Sequence, residues 1–334
     1  MATDAPRARS DFPDLGLDFF SDSLSSLFAH HVPAQGEPNQ LFTYTPPAST
    51  SAAPITVRLP PQAVNSLFAH HAWDGGLRMA DALALGELDV AGEDVVELGA
   101  GAGISGLMAA RMGARRAVLS DYDDPTLISN LRSNIDLAFP SPADAPIRAS
   151  LSARGHSWGD AASYPILLSS SAFPSSAGEP ERPFTRILLA DTLWSSYAHG
   201  PLLDSLVALL APTPTARLCI CAGLHSGRAM VRSFLRKASA RGLVRVGKWE
   251  EIGIEGTRRE WGWDERGRAE DGEDGPARAD EWDEVEDASE RNKWVVEGQL
   301  GWSDEALRES GRGIKGSESR PSGTAASSTS AECT

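Results

Sequence analysis

The residues best suited to chemistry lie in the segment 95–106, whose sequence is VVELGAGAGISG. An apolar strand is predicted to close on Glu97, and glycines follow at 99, 101, 103 and 106. Glycine adopts left-handed backbone angles and lets a ligand approach the main chain, so the pattern predicts a strand, a tight turn and a helix around a small molecule. Asp121 ends the next predicted strand (116–121), where its carboxylate can accept hydrogen bonds from both hydroxyls of a ribose.

Two nucleoside ligands fit this arrangement. Gly101–Gly106 spells G-x-G-x-x-G, with an acidic residue about 20 positions further on, which is the dinucleotide fingerprint. The spelling E-x-G-x-G-x-G is instead typical of the glycine loop of S-adenosylmethionine (SAM) methyltransferases. Glu97 favours SAM, because a carboxylate repels a pyrophosphate but tolerates a cationic sulfonium and ammonium. We therefore predict SAM as the cofactor, with a dinucleotide as the alternative.

Other predicted strand ends also carry functional side chains. Trp158 lies in the segment GHSWG after the third strand, and Asp191 follows RILLA at the end of the fourth. Ligands of open α/β sheets bind beyond the carboxyl ends of the strands, so we expect Trp158 to stack on an adenine and Asp191 to serve as an active-site carboxylate. The alternatives are a core position for Trp158 and a helix cap for Asp191.

The histidines give weaker signals. The motif SLFAHH occurs twice, at 26–31 and 66–71, but adjacent histidines point in different directions and no Cys or carboxylate completes a metal-site spacing. We expect no metal. His156, His199 and His225 are interpreted as structural or rim residues, since methyl transfer does not require a histidine.

Taken in order, Trp73, ELGAGAG, SDYDDP, GHSWG, LLADTLW and His199 resemble the seven-β-strand protein-lysine methyltransferases, methyltransferase family 16. The segments AGLHSGRAMVRSFL, WEEIG and ERNKWVV resemble a fungal, nicotinamide N-methyltransferase-like branch, which is close to enzymes that methylate translation elongation factors. The resemblance covers about residues 40–300. The predicted cofactor-binding residues are Trp73, Glu97, Gly99, Ala100, Gly101, Gly103, Asp121, Tyr122, Trp158 and Ala190.

The resemblance also places the methyl acceptor. It implies that Asp191 begins a D-x-x-aromatic motif beside the acceptor, and we predict Asp191 and Trp194 as the catalytic pair. Many lysine-specific members have Tyr or Phe at the aromatic position, whereas this chain has Trp194. This difference affects the prediction of which acceptor is methylated more than the prediction that a methyl group is transferred. Asp191 and backbone carbonyls would orient an amine, and Trp194 would cradle it by cation–π contact.

Composition limits the partners. The chain has 334 residues and a net charge of −15, so a nucleic-acid partner is disfavoured. Residues 264–290 hold 13 acidic and 3 basic side chains, which account for −10 of that charge. Three cysteines are too few for a disulfide framework, and Cys219 and Cys221 are expected to fill the core. Because no apolar run is long enough to span a membrane and no leader pattern is present, we expect a cytoplasmic protein, with nuclear residence as a further option.

Strands alternating with helices predict an α/β class: one Rossmann-like methyltransferase domain with a mostly parallel seven-stranded sheet and helices on both faces. The predicted strands are 94–98, 116–121, 147–151, 185–190, 216–222, 244–249 and 293–300, and the predicted helices are 63–88, 103–112, 124–137, 199–210 and 226–241. We assign residues 1–62 to an extension with a disordered start, a short helix at 15–31 and a β-hairpin (41–44 with 55–59). Residues 63–302 form the domain, with loop insertions at 169–183 and 261–291, and 303–334 form a disordered tail.

Three functions remain open at this point. The first is a protein N-methyltransferase acting on a lysine or N-terminal amine, with a translation factor as one possible substrate. The second is a small-molecule enzyme acting on a heteroaromatic amine of the nicotinamide type. The third is a non-catalytic SAM-binding adaptor. We predict the first, and a monomeric protein.

Overall fold

The structure of the protein, a computed structural model, describes residues 32–62, 68–169, 183–262 and 288–317. The strands in these ranges are β1 (Ala34–Gln35), β2 (Leu41–Tyr44), β3 (Ile55–Arg58), β4 (Ala72–Trp73), β5 (Asp94–Leu98), β6 (Arg116–Asp121), β7 (Leu151–Gly155), β8 (Arg186–Ala190), β9 (Arg217–Gly223), β10 (Leu243–Gly253), β11 (Arg258–Glu260) and β12 (Trp294–Trp302). The α-helices are α1 (Asp74–Ala84), α2 (Ile104–Arg111), α3 (Pro125–Ala138), α4 (Ala145–Ser150), α5 (Tyr164–Leu168), α6 (His199–Leu209), α7 (Arg228–Ser239), α8 (Ala288–Arg291) and α9 (Asp304–Ser317).

The central sheet has eight strands in the order β11-β10-β12-β9-β8-β5-β6-β7. The neighbours from β9 to β7 pair in parallel, whereas β12, β10 and β11 pair antiparallel. The predicted α/β class is confirmed; the additional strand, β11, is a short and exposed edge strand that carries no apolar pattern. The chain leaves β5 on one side towards β6 and returns on the other side as β8, so the strand order reverses at β5. This reversal creates a crevice at the carboxyl ends of the strands.

Both faces of the sheet are covered because the central strands are apolar on both sides. In β5, Val95 belongs to one core cluster while Val96 and Leu98 belong to the other. Residues of α1, α2 and α3 pack in the first cluster, and residues of α6 and α7 pack in the second. The two cores hold the sheet rigid, and the loops at its carboxyl edge are thereby fixed in place.

The N-terminal hairpin braces the glycine loop. β2 and β3 pair antiparallel, as predicted. Buried Asn134 of α3 accepts a hydrogen bond from the Arg58 N–H (2.7 Å) and donates to the carbonyl of Ala102 (2.9 Å). β1 pairs with β4 next to this loop, with Ala34 opposite Trp73. The hairpin and β1 therefore contact elements of the predicted domain, and the division of the chain at residue 62 stays a prediction.

Two predicted elements are wrong in position. The third strand was predicted at 147–151, but residues 145–150 form α4 and the strand begins at Leu151. A capping box on Ser141 starts a 3-10 turn, Pro142–Asp144, which leads directly into α4, and Pro146 lies in the first turn of α4. The predicted helix 63–88 begins only at Asp74, because Trp73 pairs with β1 in extended conformation; residues 63–67 lie outside the described residues.

The predicted boundaries of the insertions and tail also change. Trp261 is buried in the core, and α8 occupies the end of the predicted 261–291 insertion. Asp304–Ser317 is helical where a disordered tail was predicted. The rest of both insertions, the tail beyond residue 317, the disordered start and the predicted helix 15–31 lie outside the described residues.

Three other features can be checked in the described ranges. Cys219 and Cys221 are buried in the core as predicted, and burial raises the pKa of Cys219 to about 12. Among the residues that the structure describes, no helix has the length and apolarity to cross a membrane. The same residues contain no group of three His, Cys, Asp or Glu side chains that could hold a metal ion.

Candidate active site

A cavity of about 370 Å³ lies at the carboxyl ends of β5, β6 and β8, in the crevice where the strand order reverses. All twelve residues predicted for the site line this cavity, although they come from positions between 73 and 194. The ten predicted cofactor residues and the predicted catalytic pair, Asp191 and Trp194, are thus brought together by the fold. Their individual roles stay predictions.

The glycine loop forms the floor of the cavity. Gly99, Gly101 and Gly103 have φ angles of 74°, 53° and 85°, in the left-handed region that favours glycine. A Cβ on Gly99 would lie 2.9 Å from Thr192 Cγ2 and 3.1 Å from Trp158 Cζ2. The Trp158 indole and the Thr192 methyl group therefore pack directly against the bare main chain of Gly99.

Carboxyl groups of the protein already bind amides of this loop. Asp121 Oδ2 accepts the Gly101 N–H at 2.6 Å, and its Oδ1 accepts the Tyr122 N–H at 2.7 Å. Glu97 Oε2 accepts the N–H of Gly106, in the first turn of α2, at 2.9 Å. A dinucleotide pyrophosphate uses such amides at a helix N-terminus, so these contacts disfavour a phosphate there.

Burial changes the protonation of both carboxyl groups. It raises the pKa of Glu97 to about 8, against the hydrogen bond from Gly106 that acts to lower it. It raises the pKa of Asp121 to about 6, against the hydrogen bonds from Gly101 and Tyr122. A positively charged ligand would favour the ionised forms of both groups, since an opposite charge nearby lowers a carboxyl pKa.

The charges of the cavity match a cation. Its described lining contains the acidic side chains of Glu97, Asp121 and Asp191, and no Lys or Arg. SAM carries a sulfonium and an ammonium, whereas a dinucleotide carries two phosphates that require cationic or amide donors. The residues present therefore fit SAM, and the alternative of a dinucleotide is disfavoured.

In the wall of the same cavity, the Asp191 side chain ties three chain segments together. Its Oδ2 accepts the Gly75 N–H at the start of α1 (2.8 Å), and its Oδ1 accepts the Gly223 N–H at the end of β9 (2.7 Å). Asp191 itself has a φ of 55°, which is uncommon for a residue with a side chain. Such backbone conformations persist where the surrounding structure fixes them, often at functional sites. The sequence predicted that Asp191 orients an amine. The structure shows that both of its oxygens bind backbone N–H groups, those of Gly75 and Gly223.

Aromatic side chains also line the wall of this cavity. The Trp194 ring meets the edge of Phe68 with centroids 4.9 Å apart. Trp73 donates its indole N–H to the carbonyl of Phe68 at 2.6 Å, and its ring lies 5.3 Å from that of His225. Phe68 has a φ of 54°, so it shares with Asp191 a left-handed backbone at the cavity wall.

Sequence reasoning missed several lining residues. Phe68 falls within the predicted helix 63–88, and no local pattern distinguishes it from a core residue. Thr192 follows Asp191 directly, and this position next to a predicted site residue could have identified it. Its buried hydroxyl has no hydrogen-bond partner among the described residues. His225, predicted to be a structural or rim residue, lies in the cavity wall.

The other two histidines in question have structural contacts. His156 lines the cavity but binds Ser163 (2.6 Å) and Ser205 (2.9 Å) through its two ring nitrogens. His199 binds the carbonyl of Leu193 at 2.9 Å. Burial lowers the pKa of both side chains, which favours their neutral forms.

Comparison with known proteins identifies the family of the chain. The sequence model of a family described as lysine methyltransferase matches residues 56–167. A protein N-terminal and lysine N-methyltransferase EFM7 from Gibberella zeae is 32% identical over 188 residues, which are 56% of this chain and 67% of that protein. This chain belongs to the lysine methyltransferase family. The resemblance drawn from the motifs is thereby confirmed at family level, and the nicotinamide N-methyltransferase-like branch stays a prediction.

Two further relatives carry the same name. The Emericella nidulans protein is 37% identical over 122 residues, or 35% of this chain and 42% of that protein. The Schizosaccharomyces pombe protein is 31% identical over 152 residues, or 46% of this chain and 54% of that protein. The chain thus matches between 42% and 67% of the length of these three relatives.

Proposed function

We propose that this protein is a SAM-dependent N-methyltransferase that transfers a methyl group to a protein amine, either a lysine side chain or an N-terminal amine. The observation that carries the proposal is the cavity, whose described lining combines a glycine loop with three acidic side chains and no basic one. The names of the relatives, which specify N-terminal and lysine N-methylation, support the choice of acceptor.

The cofactor end of the cavity would hold SAM through residues of four strand ends. Asp121 would accept the ribose hydroxyls, since each carboxylate oxygen can accept more than the one backbone hydrogen bond it has. Trp158 would stack on the adenine, and Gly99–Gly103 would let the ligand approach the main chain. When bound, SAM supplies an electrophilic methyl group on a positively charged sulfur.

The acceptor end would receive an amine between aromatic faces. We place it at Phe68 and Trp194, near Asp191, which holds the backbone of Gly75 and Gly223. Aromatic faces attract an ammonium group and exclude water. A free lysine has a pKa of about 10.4, so it enters mostly protonated and must lose a proton before it can attack. Much of the rate would come from holding the neutral amine in line with the methyl group.

The finer assignments are part of this proposal. The resemblance supports a translation factor as the protein substrate, and a cytoplasmic location where such a factor is met, with the nucleus as a second compartment. The net charge of −15 supports a partner other than nucleic acid. A monomer without membrane attachment completes the proposal.

The test uses purified protein, methyl-labelled SAM and a fractionated cell lysate. Asp121→Ala is the variant with weakened cofactor binding, and Asp136→Ala is the matched control, since Asp136 is an exposed aspartate of α3. With SAM below the wild-type Kd, we expect label in a discrete protein band with the wild type and with Asp136→Ala, and a band weaker by about 10-fold or more with Asp121→Ala. Peptide mapping of that band separates a lysine from an N-terminal amine.

Each other outcome has a definite meaning. Label confined to the small-molecule fraction would overturn the protein acceptor and favour the nicotinamide-type alternative. SAM binding without transfer to any fraction would favour the non-catalytic adaptor.

A further inference from the structure

His225 occupies a position in the cavity that the reaction described above leaves unused. It lies in a 3-10 turn, Leu224–Ser226, directly after β9. Its side chain is 13% exposed and lines the acceptor end, where its ring packs against that of Trp73 at 5.3 Å and 32°. The ring therefore sits in the wall where the substrate amine would enter.

Asp191 lies at one edge of this ring. His225 Nε2 is 3.4 Å from Asp191 Oδ1 and is buried. Both oxygens of Asp191 are held by the backbone N–H groups of Gly75 and Gly223. A Cβ on Gly223 would lie 2.8 Å from His225 Cδ2 and 3.0 Å from Asp191 Oδ1, so glycine is needed for the two side chains to meet.

The opposite nitrogen of the ring is unengaged. Within the described residues, Nδ1 of His225 forms no hydrogen bond, while Nε2 is turned to the carboxylate. A carboxylate beside one imidazole nitrogen fixes the tautomer that carries its proton there, and leaves a lone pair on the other nitrogen. The 3.4 Å contact does not form a hydrogen bond, and Nε2 has no hydrogen-bond partner among the described residues. Hydrogen bonds between catalytic groups are often long or poorly aligned before substrate binds.

We propose that His225 accepts the proton of the substrate amine through Nδ1, and that Asp191 is the residue that positions its ring. This assignment rests on the proposed function. The ammonium N–H bond breaks and its proton passes to Nδ1. The lone pair of the neutral amine then forms the N–C bond while the electron pair of the S–C bond stays on sulfur, and the imidazolium returns its proton to solvent.

Two other histidines line the cavity and serve as comparisons. Both nitrogens of His156 bind serine hydroxyls, so that ring has no free nitrogen. His71 binds the carbonyl of Gly36 through Nδ1 (2.6 Å) and lies 4.3 Å from the ring of His70. The neighbour of His71 is another imidazole, which carries no negative charge. The neighbour of His225 is the carboxylate of Asp191, which can stabilise a protonated ring.

The charged groups around the turn of His225 are limited. Among the described residues, Asp191 is the only carboxylate within 4 Å of the ring nitrogens. The turn also packs against β12 and α8. The charged residues on the facing parts of those elements are Glu297, which pairs with Arg78, and Glu290 and Arg291. Asp191 is therefore the carboxylate that would stabilise the ring of His225 when the ring takes up a proton.

The first test measures kcat against pH for wild type, His225→Gln and His71→Gln, with saturating SAM and the lysate fraction that accepts label from the wild type. Near pH 7, His225→Gln should be slower by about 100-fold or more, the usual size of general base catalysis. The deficit should shrink as the pH approaches the amine pKa of about 10.4 for lysine, because free base then forms without help. Any deficit of His71→Gln should be equal at every pH.

A second measurement is independent of turnover. Nitrogen NMR of ¹⁵N-histidine-labelled protein without SAM, with the signal assigned by its loss in His225→Gln, should show the Nε2-protonated tautomer of His225. Asp191→Asn should mix the two tautomers. This measurement tests the contact with Asp191, and the pH profile of kcat tests the catalytic role of the ring.

The outcomes separate the two proposals. A deficit of His225→Gln that is the same at every pH, a pH-dependent deficit in His71→Gln instead, or an Nδ1-protonated His225 would overturn the role of His225 while the methyltransferase function stands. If wild type transfers no label to any fraction, the proposed function fails first, and this assignment falls with it.

Discussion

The buried carboxyl group of Glu97 makes the stability of the protein depend on pH. Glu97 is 2% exposed beneath the glycine loop, and burial raises its pKa from 4.5 to about 8. Because the folded pKa lies above the unfolded one, the unfolded chain ionises first as the pH rises. The contribution of Glu97 to the free energy of unfolding is therefore largest below about pH 4.5, and it is lost as the pH rises to about 8.

The size of this effect follows from the same two values. At 1.36 kcal/mol for each pH unit, the interval from 4.5 to about 8 corresponds to a loss of roughly 5 kcal/mol in the free energy of unfolding. Glu97→Gln keeps a side-chain oxygen for the Gly106 N–H but removes the ionisation. The difference between the Tm of Glu97→Gln and the Tm of wild type should therefore increase by about 10 °C from pH 5 to pH 8. The reason is that 1 kcal/mol shifts Tm by roughly 2–4 °C in a domain of this size.

Thermal unfolding followed by circular dichroism in SAM-free protein measures this difference at pH 5, 6, 7 and 8. Asp121 titrates in both proteins, so the part of its contribution that is independent of Glu97 cancels; its charge is the smallest of the causes that act on the Glu97 pKa. Glu255→Gln, at an exposed glutamate, is the matched control and should differ from wild type equally at every pH. If the gap between Glu97→Gln and wild type is also the same at pH 5 and pH 8, the argument from burial is refuted.

Three further predictions test the loop and the acceptor end. Asp121→Ala should weaken SAM binding by roughly 10- to 100-fold in calorimetry, the value of a hydrogen bond to a charged group, with a smaller loss of kcat at saturating SAM; equal losses would contradict its assignment. Gly106→Ala should lower the free energy of unfolding by about 2 kcal/mol or more in denaturant titration, because the new Cβ would lie 2.0 Å from Leu119 Cδ2. Gly200→Ala is the control and should be neutral or stabilising, because the space around Gly200 is open. Asp191→Ala leaves two backbone N–H groups without their acceptors and should cost about 2–5 kcal/mol of unfolding free energy, with turnover reduced more than SAM affinity; an unchanged denaturation midpoint would show that these bonds are dispensable.

The parallel core of the sheet could be predicted from the sequence because its signals are local. β5, β6, β8 and β9 lie within a residue or two of their predicted bounds, since each is an apolar run bounded by turns or charges. The same holds for the N-terminal hairpin. Where the prediction failed, a distant partner decided the structure: Trp73 is extended because Ala34, 39 positions earlier, pairs with it. Helical periodicity in 63–88 carried no trace of that pairing.

The candidate site divides in the same way. The glycine spacing and the carboxylates at successive strand ends are local features, and the sequence by itself determined that Glu97, Asp121 and Asp191 would gather around a nucleoside ligand. What each carboxylate binds was decided by tertiary structure. Asp191 holds the N–H of Gly75, which is 116 residues away, and that of Gly223, which is 32 residues away, and the second contact brings His225 to its side. Hydrogen-bond partners depend on which strand ends the sheet order makes neighbours, and no spacing along the chain encodes that order.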